Sequence, residues 1–344
     1  MSGRRLAVIG LTVVFGALFV TQFGELTDVV GAVRSARPRW MLVALALQLL
    51  WFVNQAALYQ AIYAWLELPA RIPQLLPIVL ASNFVNFVTP SASLGAVPLF
   101  LHDAEQRGLD TGKAALASVL RLLLNLVWFS LLLAFSLTTL FVWNALRIYH
   151  LVAASILLAS ALVLVAALIT AGVHPDRLAR LLRAVTSLVN RLSDRLLKRA
   201  LVKESTASGF ATYFGHAAVA VWHGRRRMVR PWIHTMAFDA LQMSVLYATV
   251  RAFPGAVPSI TLTMLVTAYT IGVLFSVVAI TPQGIGAVEG VLVAALTSYG
   301  MSVGRATAVV IAYRGLSFWL PLVAGFSALR WVRGLGKPVA QEKA

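Results

Sequence analysis

Long apolar stretches recur along this chain, separated by short polar connections. Leu6–Phe23, Trp40–Trp65, Ala114–Trp143, Leu151–Gly172, Trp232–Phe253, Ile260–Ile280 and Ala306–Trp331 each have the roughly 17–25 residues that a helix needs to cross a bilayer. Two more, Pro73–Val88 and Gly284–Tyr299, are shorter or broken. The pattern predicts an all-α polytopic membrane protein with about seven full spans plus two broken or re-entrant helical elements. A single membrane domain over residues 1–344 is expected.

Polar and helix-breaking positions interrupt this pattern twice, in nearly the same way. Thr89-Pro90-Ser91-Ala92-Ser93-Leu94-Gly95-Ala96-Val97 is answered, about 190 residues later, by Thr281-Pro282-Gln283-Gly284-Ile285-Gly286-Ala287-Val288-Glu289. Both read Thr-Pro, a small-residue step, an aliphatic residue, then Gly-Ala-Val. Downstream, Gly112-Lys113-Ala114 leads to Arg121, and Gly304-Arg305-Ala306 leads to Arg314. A helix break followed by a buried arginine, occurring twice, marks an internal repeat of transporter type, with units of approximately 73–143 and 260–331.

The breaks have a physical consequence. Proline removes a backbone donor and disfavours helical geometry in the residue before it. Freed carbonyls in hydrocarbon need protein or a water-filled cavity to satisfy them. Thr89, Pro90 and Gly95, and Thr281, Pro282, Gly284 and Gly286, are therefore expected to supply cavity-lining backbone. Asn83 and Asn86 share a helix face before Pro90, and with Thr89 they either cap the break or bind substrate. Gly284 and Gly286 permit a tight turn into a helix starting near Ala287, whose positive dipole end would favour phosphate. Relief of the Pro282 kink is an equal reading. A dinucleotide site at Gly284-Ile285-Gly286 is excluded, because no strand precedes it and no acidic ribose ligand follows at the usual offset.

Arg121 and Arg314 each lie about ten residues inside a span, where a charge costs from about 2.5 kcal/mol upward. Glu289 is the acid of the second repeat, so Glu289–Arg314 reads either as a structural ion pair or as part of a site. The first repeat has Pro98 in the position of Glu289. The acids nearest Arg121 are Asp103 and Glu105, expected in the loop before its span. Arg121 can hold a lipid phosphate through a bidentate, charge-assisted contact, or share Glu289 across the repeat interface. Asn125, one turn on, extends the polar face. Asp239 and Gln242 share a face of the span Trp232–Phe253; Asp239 either carries coupling protons or bonds a neighbouring arginine or histidine. His234 reads as a side chain snorkelling to the interface.

Composition agrees with the bilayer. Apolar residues make up 60% and charged residues 12%, against about 25% charged in soluble domains, and the mean hydropathy is +0.83. The net charge of +17 reflects topology rather than nucleic-acid binding. Val173–Arg230 holds twelve Lys/Arg against three acids, whereas Pro254–Ser259 has no charge. The positive-inside rule makes the first region cytoplasmic, with both termini, and the second external. Arg34, Arg37 and Arg39 sit against this orientation. Residues 173–231 are expected to form a basic amphipathic segment in the interface. No cysteine is present, no cluster has metal-ligand spacing, and no catalytic constellation can be read. Neither a metal, a cofactor nor an enzymatic activity is expected.

These residues resemble the lysylphosphatidylglycerol synthase transmembrane region, also called the flippase-like family. Thr281 to Glu289, followed by Tyr313-Arg314 and Phe318-Trp319-Leu320-Pro321, is similar to its C-terminal signature. Asn83, Asn86, Pro90, Gly95 and Arg121 are similar to the N-terminal one. The resemblance covers about Trp40 to Trp331 and implies a multi-span bundle moving lipids between leaflets. Two departures stand out: Gly95-Ala96 replaces a Gly-Glu pair with a following arginine, and the soluble aminoacyl-transferase domain is missing. Synthesis of lysylphosphatidylglycerol is thus not expected.

The leading expectation is an inner cell-membrane protein that translocates an anionic phospholipid or lipid-linked precursor between leaflets. Arg121, Arg314, Glu289, Asn83, Asn86 and Asn125 would bind its headgroup. Its partners would be membrane lipids, probed most directly with anionic ones. The alternative is a non-transporting scaffold for a lipid-modifying or glycosyl-transferring enzyme docked on the basic segment.

Overall fold

In a computed structural model, residues 36–88, 96–143, 155, 228–253, 260–279 and 281–334 are described. The expected spans Leu6–Phe23 and Leu151–Gly172, the first break at Thr89, Pro90 and Gly95, and nearly all of the basic segment 173–231 lie outside them. Among the described residues the architecture is entirely helical.

The helix α1 (Pro38–Trp65) starts with proline in its first turn, where the missing N–H is no loss. It is followed by α2 (Ile72–Val88), by the short α3 (Val97–Gln106) and by the 32-residue α4 (Thr111–Val142). Asp110 caps α4, its Oδ1 accepting the backbone N–H groups of Gly112 at 2.8 Å and Lys113 at 3.1 Å. In the second half come α5 (Val229–Ala252) and α6 (Leu262–Val278), then a 3₁₀ turn at Pro282–Gly284. The helix α7 (Ala287–Ser298) precedes α8 (Val303–Arg314), which runs through a π turn at Gly315–Trp319 into α9 (Leu320–Gly334).

The expected seven full spans are met in part among the described residues, two of the seven lying outside them. Pro38–Trp65, Thr111–Val142 and the continuous Val303–Arg330 are long and apolar enough to cross. The expected span Ile260–Ile280 yields only the 17-residue α6, because Ala279 turns to extended backbone before Pro282. The expected span Trp232–Phe253 does form the 24-residue α5. It is less apolar than a lone span, and it buries Thr235, Asp239, Gln242 and Thr249 within the bundle. Asp103 also departs from expectation: it lies in α3, where the chain was read as loop, and pairs with Arg107 at 3.3 Å.

Two antiparallel helix pairs set the frame. Along α1 and α5, Trp40 meets Tyr247, Gln48 meets Gln242, Trp51 meets Phe238 and Asn54 meets His234. Along α2 and α9, Phe84 meets Phe326 and Phe87 stacks on Phe318. At Gly325, an added Cβ would come within 2.4 Å of the Leu80 carbonyl oxygen and 2.8 Å of Phe84 Cβ. Only a glycine lets these two backbones approach so closely. Large apolar side chains such as Leu42, Leu49, Leu131, Phe135 and Val323 cover the outside. In water such a surface would aggregate; in lipid it is solvated.

Candidate functional site

The second break and the polar helix faces converge on one cavity of about 470 Å³. α2 supplies Asn83 and Asn86, α4 supplies Arg121 and Asn125, and α5 supplies Asp239 and Gln242. Thr281 and Gln283 enter from the second break, and Tyr313, Arg314 and Ser317 from α8 and the π turn. Of the residues expected to bind a headgroup, Arg121, Arg314, Asn83, Asn86 and Asn125 thus share one wall system. Glu289 stands behind it.

The second break is built by three left-handed residues. Gln283 has φ 52°, Gly284 φ 65° and Gly286 φ 87°. A Cβ on Gly284 would meet Ser276 Cα at 2.8 Å and the Phe275 carbonyl at 2.9 Å, so glycine is required twice over, by conformation and by space. The Thr281 hydroxyl donates to the Ile285 carbonyl at 2.9 Å, and Gly284 N–H donates to the Thr281 carbonyl at 2.9 Å. The freed backbone is thereby satisfied by the turn itself. The Gln283 side-chain amide reaches the Asn86 carbonyl at 3.4 Å, tying this break to the end of α2.

Glu289 joins the second break to α8. Its Oε2 accepts the Gly286 N–H at 2.7 Å, and its Oε1 accepts Arg314 Nε at 2.6 Å. The amino end of α7 is therefore capped by the protein's own carboxylate. The ion-pair reading of Glu289–Arg314 is what the geometry shows. Arg314 is 8% exposed, its Nη2 also reaches the Gln283 carbonyl at 3.4 Å, and its guanidinium lies 4.7 Å from the Phe318 ring centre.

Arg121 is in different company. No carboxylate pairs with it among the described residues, and Glu289 is not shared with it. Its guanidinium lies 5.4 Å from the ring centre of Tyr59 and 6.0 Å from that of Phe238. Such ring contacts hold and orient a cation. Nearby, Asn83 Nδ2 and Asn86 Oδ1 are buried without hydrogen-bond partners. A donor and an acceptor left open beside an unpaired guanidinium form a polar lining suited to a ligand with anionic oxygens.

Two other expectations change. His234 does not snorkel: its Nδ1 lies 2.8 Å from Asn54 Oδ1, in the α1–α5 interface. Asp239 bonds neither arginine nor histidine; its Oδ1 accepts the Tyr269 hydroxyl. Sequence reasoning missed Tyr269, Tyr313, Ser317 and Gln283 as wall residues. Tyr313 and Ser317 flank Arg314 at helical spacing and were findable from that; Tyr269 sits on an all-round apolar helix and carried no signal.

Among curated proteins, no sequence matches this chain. A family match spans both halves of the bundle and both arginines. Over residues 6–325 the sequence fits the lysylphosphatidylglycerol synthase TM region, and this membrane protein belongs to that family.

Proposed function

We propose that this protein moves the headgroup of an anionic phospholipid, or of a lipid-linked precursor, between leaflets of the inner cell membrane, with both termini cytoplasmic. The observation that carries the reading is Arg121. It is a guanidinium on the wall of a polar cavity, paired with no carboxylate among the described residues and oriented by two aromatic rings. Scaffolding requires no such arrangement. The acyl chains stay in the bilayer while Arg121, Asn83, Asn86 and Asn125 exchange hydrogen bonds with the phosphate oxygens.

An internal repeat supports the reading. A 17-residue helix, a helix of 10 or 12 residues and a longer helical stretch carrying the arginine occur in that order in both halves. Corresponding halves that face one site at their breaks are the general plan of alternating-access carriers.

The test is a leaflet-exchange assay with purified protein in proteoliposomes, using short-chain fluorescent phosphatidylglycerol, phosphatidylcholine and a polyprenyl phosphate. Exchange of the anionic probes above protein-free vesicles is expected, with a large loss in Arg121→Ala. Equal rates for wild type and Arg121→Ala, in protein that inserts normally, would sink the role of Arg121. No exchange alone, together with a stably co-purifying enzyme, would favour a scaffold.

A further inference from the structure

Asp239 holds neither arginine, yet it is only 2% exposed and contributes to the cavity wall. Tyr269 donates to its Oδ1, while Oδ2 has no hydrogen-bond partner. One turn along α5, Gln242 repeats the situation. Its Nε2 donates to Gln48 Oε1 at 3.2 Å, and its own Oε1 is buried without a donor. Two acceptor oxygens three residues apart share a helix face, and both lack the same thing, a hydrogen to sit between acceptors. Turning both glutamine amides over keeps their mutual bond and leaves the charge on Asp239 just as uncompensated.

The other titratable groups on this wall are Arg121 of α4, Tyr269 of α6, and Tyr313 and Arg314 of α8; α1 contributes Trp51 and none that titrates. Arg314 is neutralised by Glu289. Among the described residues, one positive charge, Arg121, and one negative charge, Asp239, are then left on the wall without an ion-pair partner. While both are charged they cancel, and an entering anion finds little net attraction. A proton on Oδ2 leaves Arg121 uncompensated, and the single charge of a phosphodiester matches it. At the low effective dielectric of such a site, one unit of charge decides whether the anion is held.

We propose that Asp239 is a proton-binding site and that an anionic phosphodiester headgroup crosses together with a proton, an inference that rests on the lipid-moving reading of the cavity. A proton leaves water on one side and binds Oδ2, whose new O–H donates to Gln242 Oε1. It departs to water on the other side when the anion leaves. Only an O–H bond forms and breaks, and no electrons are transferred. Linkage makes the effect reciprocal: the proton tightens anion binding by the factor by which the anion tightens proton binding. Asp239→Asn imitates the protonated state permanently.

Two measurements test this. Infrared difference spectra between acidic and alkaline buffer, taken in phosphatidylcholine nanodiscs, should show a protonated-carboxyl band that Asp239→Asn loses and Asp239→Glu keeps. A wild-type spectrum without an Asp239-dependent band overturns the site. In proteoliposomes, a pH gradient should accelerate exchange of fluorescent phosphatidylglycerol from the acidic side about tenfold, within the usual range of site coupling. Asp239→Asn should exchange it at one rate with or without the gradient. A gradient response in Asp239→Asn, or none in the wild type, overturns the coupling. A band without any exchange of phosphatidylglycerol or polyprenyl phosphate at either pH removes the lipid-moving reading and the coupling, and leaves the proton site established.

Discussion

Arg121 and Arg314 occupy comparable places in α4 and α8, yet their neighbours give them different work. Arg314 bonds Glu289 and the Gln283 carbonyl, so its charge holds the second break together. Replacing one partner of a buried pair strands the other, at about 3–5 kcal/mol. Glu289→Gln is therefore expected to lower thermal stability sharply, with the loss partly restored in the Glu289→Gln, Arg314→Met double variant. Additive losses in thermal unfolding would show that the pair is not coupled. Arg121→Ala should leave stability near wild type and slow exchange by about 10–100-fold, the worth of a lost charge-assisted hydrogen bond of about 1.5–3 kcal/mol. Arg121→Lys should fall between, because an ammonium keeps the charge and loses the planar fork.

Much at this scale was legible because a charge or amide on an apolar helix has few reasons to be there. That logic placed Arg121, Arg314, Asn83, Asn86 and Asn125 on one wall. It could not choose between partners. Glu289 was equally suited to Arg314, to Arg121 or to standing near a ligand, and only the left-handed turn at Gly284 and Gly286 brings its carboxylate onto Arg314 and the α7 amino end at once.

At the scale of elements, glycines decide where backbones can meet. Gly325→Val places side-chain atoms where the Leu80 carbonyl and Phe84 already are, and must push α9 from α2. Overpacking of this kind costs about 1–3 kcal/mol. Gly284→Ala meets backbone on two sides and a disfavoured φ as well, and a comparable or larger loss is expected. Gly286→Ala has a positive φ and open space around its Cβ, so it should be the mildest of the three. The ranking is checked by thermal unfolding in detergent; a Gly284→Ala variant as stable as Gly286→Ala would contradict the crowding. From sequence, the Thr-Pro and Gly-x-Gly spacings located the second break and the start of α7. The π turn at Gly315–Trp319 was not legible, since its backbone widening follows from packing rather than from residue type. The helical character of α3 was hidden for another reason: ten residues around Asp103 and Glu105 read as polar connection when their apolar face is not yet known to be covered.

At the scale of the whole molecule, hydropathy gave the class, while the length and polarity of each described helix depend on what packs around it. Helices that pack inside a bundle can be short, as α6 is, or polar on one side, as α5 is, because protein instead of lipid surrounds them. A count made from apolar length alone treats every helix as if it stood by itself. The cysteine-free sequence makes one assembly-scale prediction accessible. Gln283 touches the end of α2 at Asn86, so cysteines at these two positions should react with a short bismaleimide and block leaflet exchange. Singly substituted controls should not change. Cross-linked protein that still exchanges lipid at the wild-type rate would mean that the second break and the end of α2 need not separate.

The two-sided grip of Glu289 has a mechanical consequence. One carboxylate fastens the start of α7 to the end of α8, so the hairpin between them is braced at its open end and would move as one lever. Its freedom is confined to the left-handed turn before it and to the widened helical turn after it. A rocking motion with those two pivots would sweep Arg314 along with the lever while Arg121 stayed on its own helix, so the two guanidinium groups would part and rejoin across the cavity in every cycle.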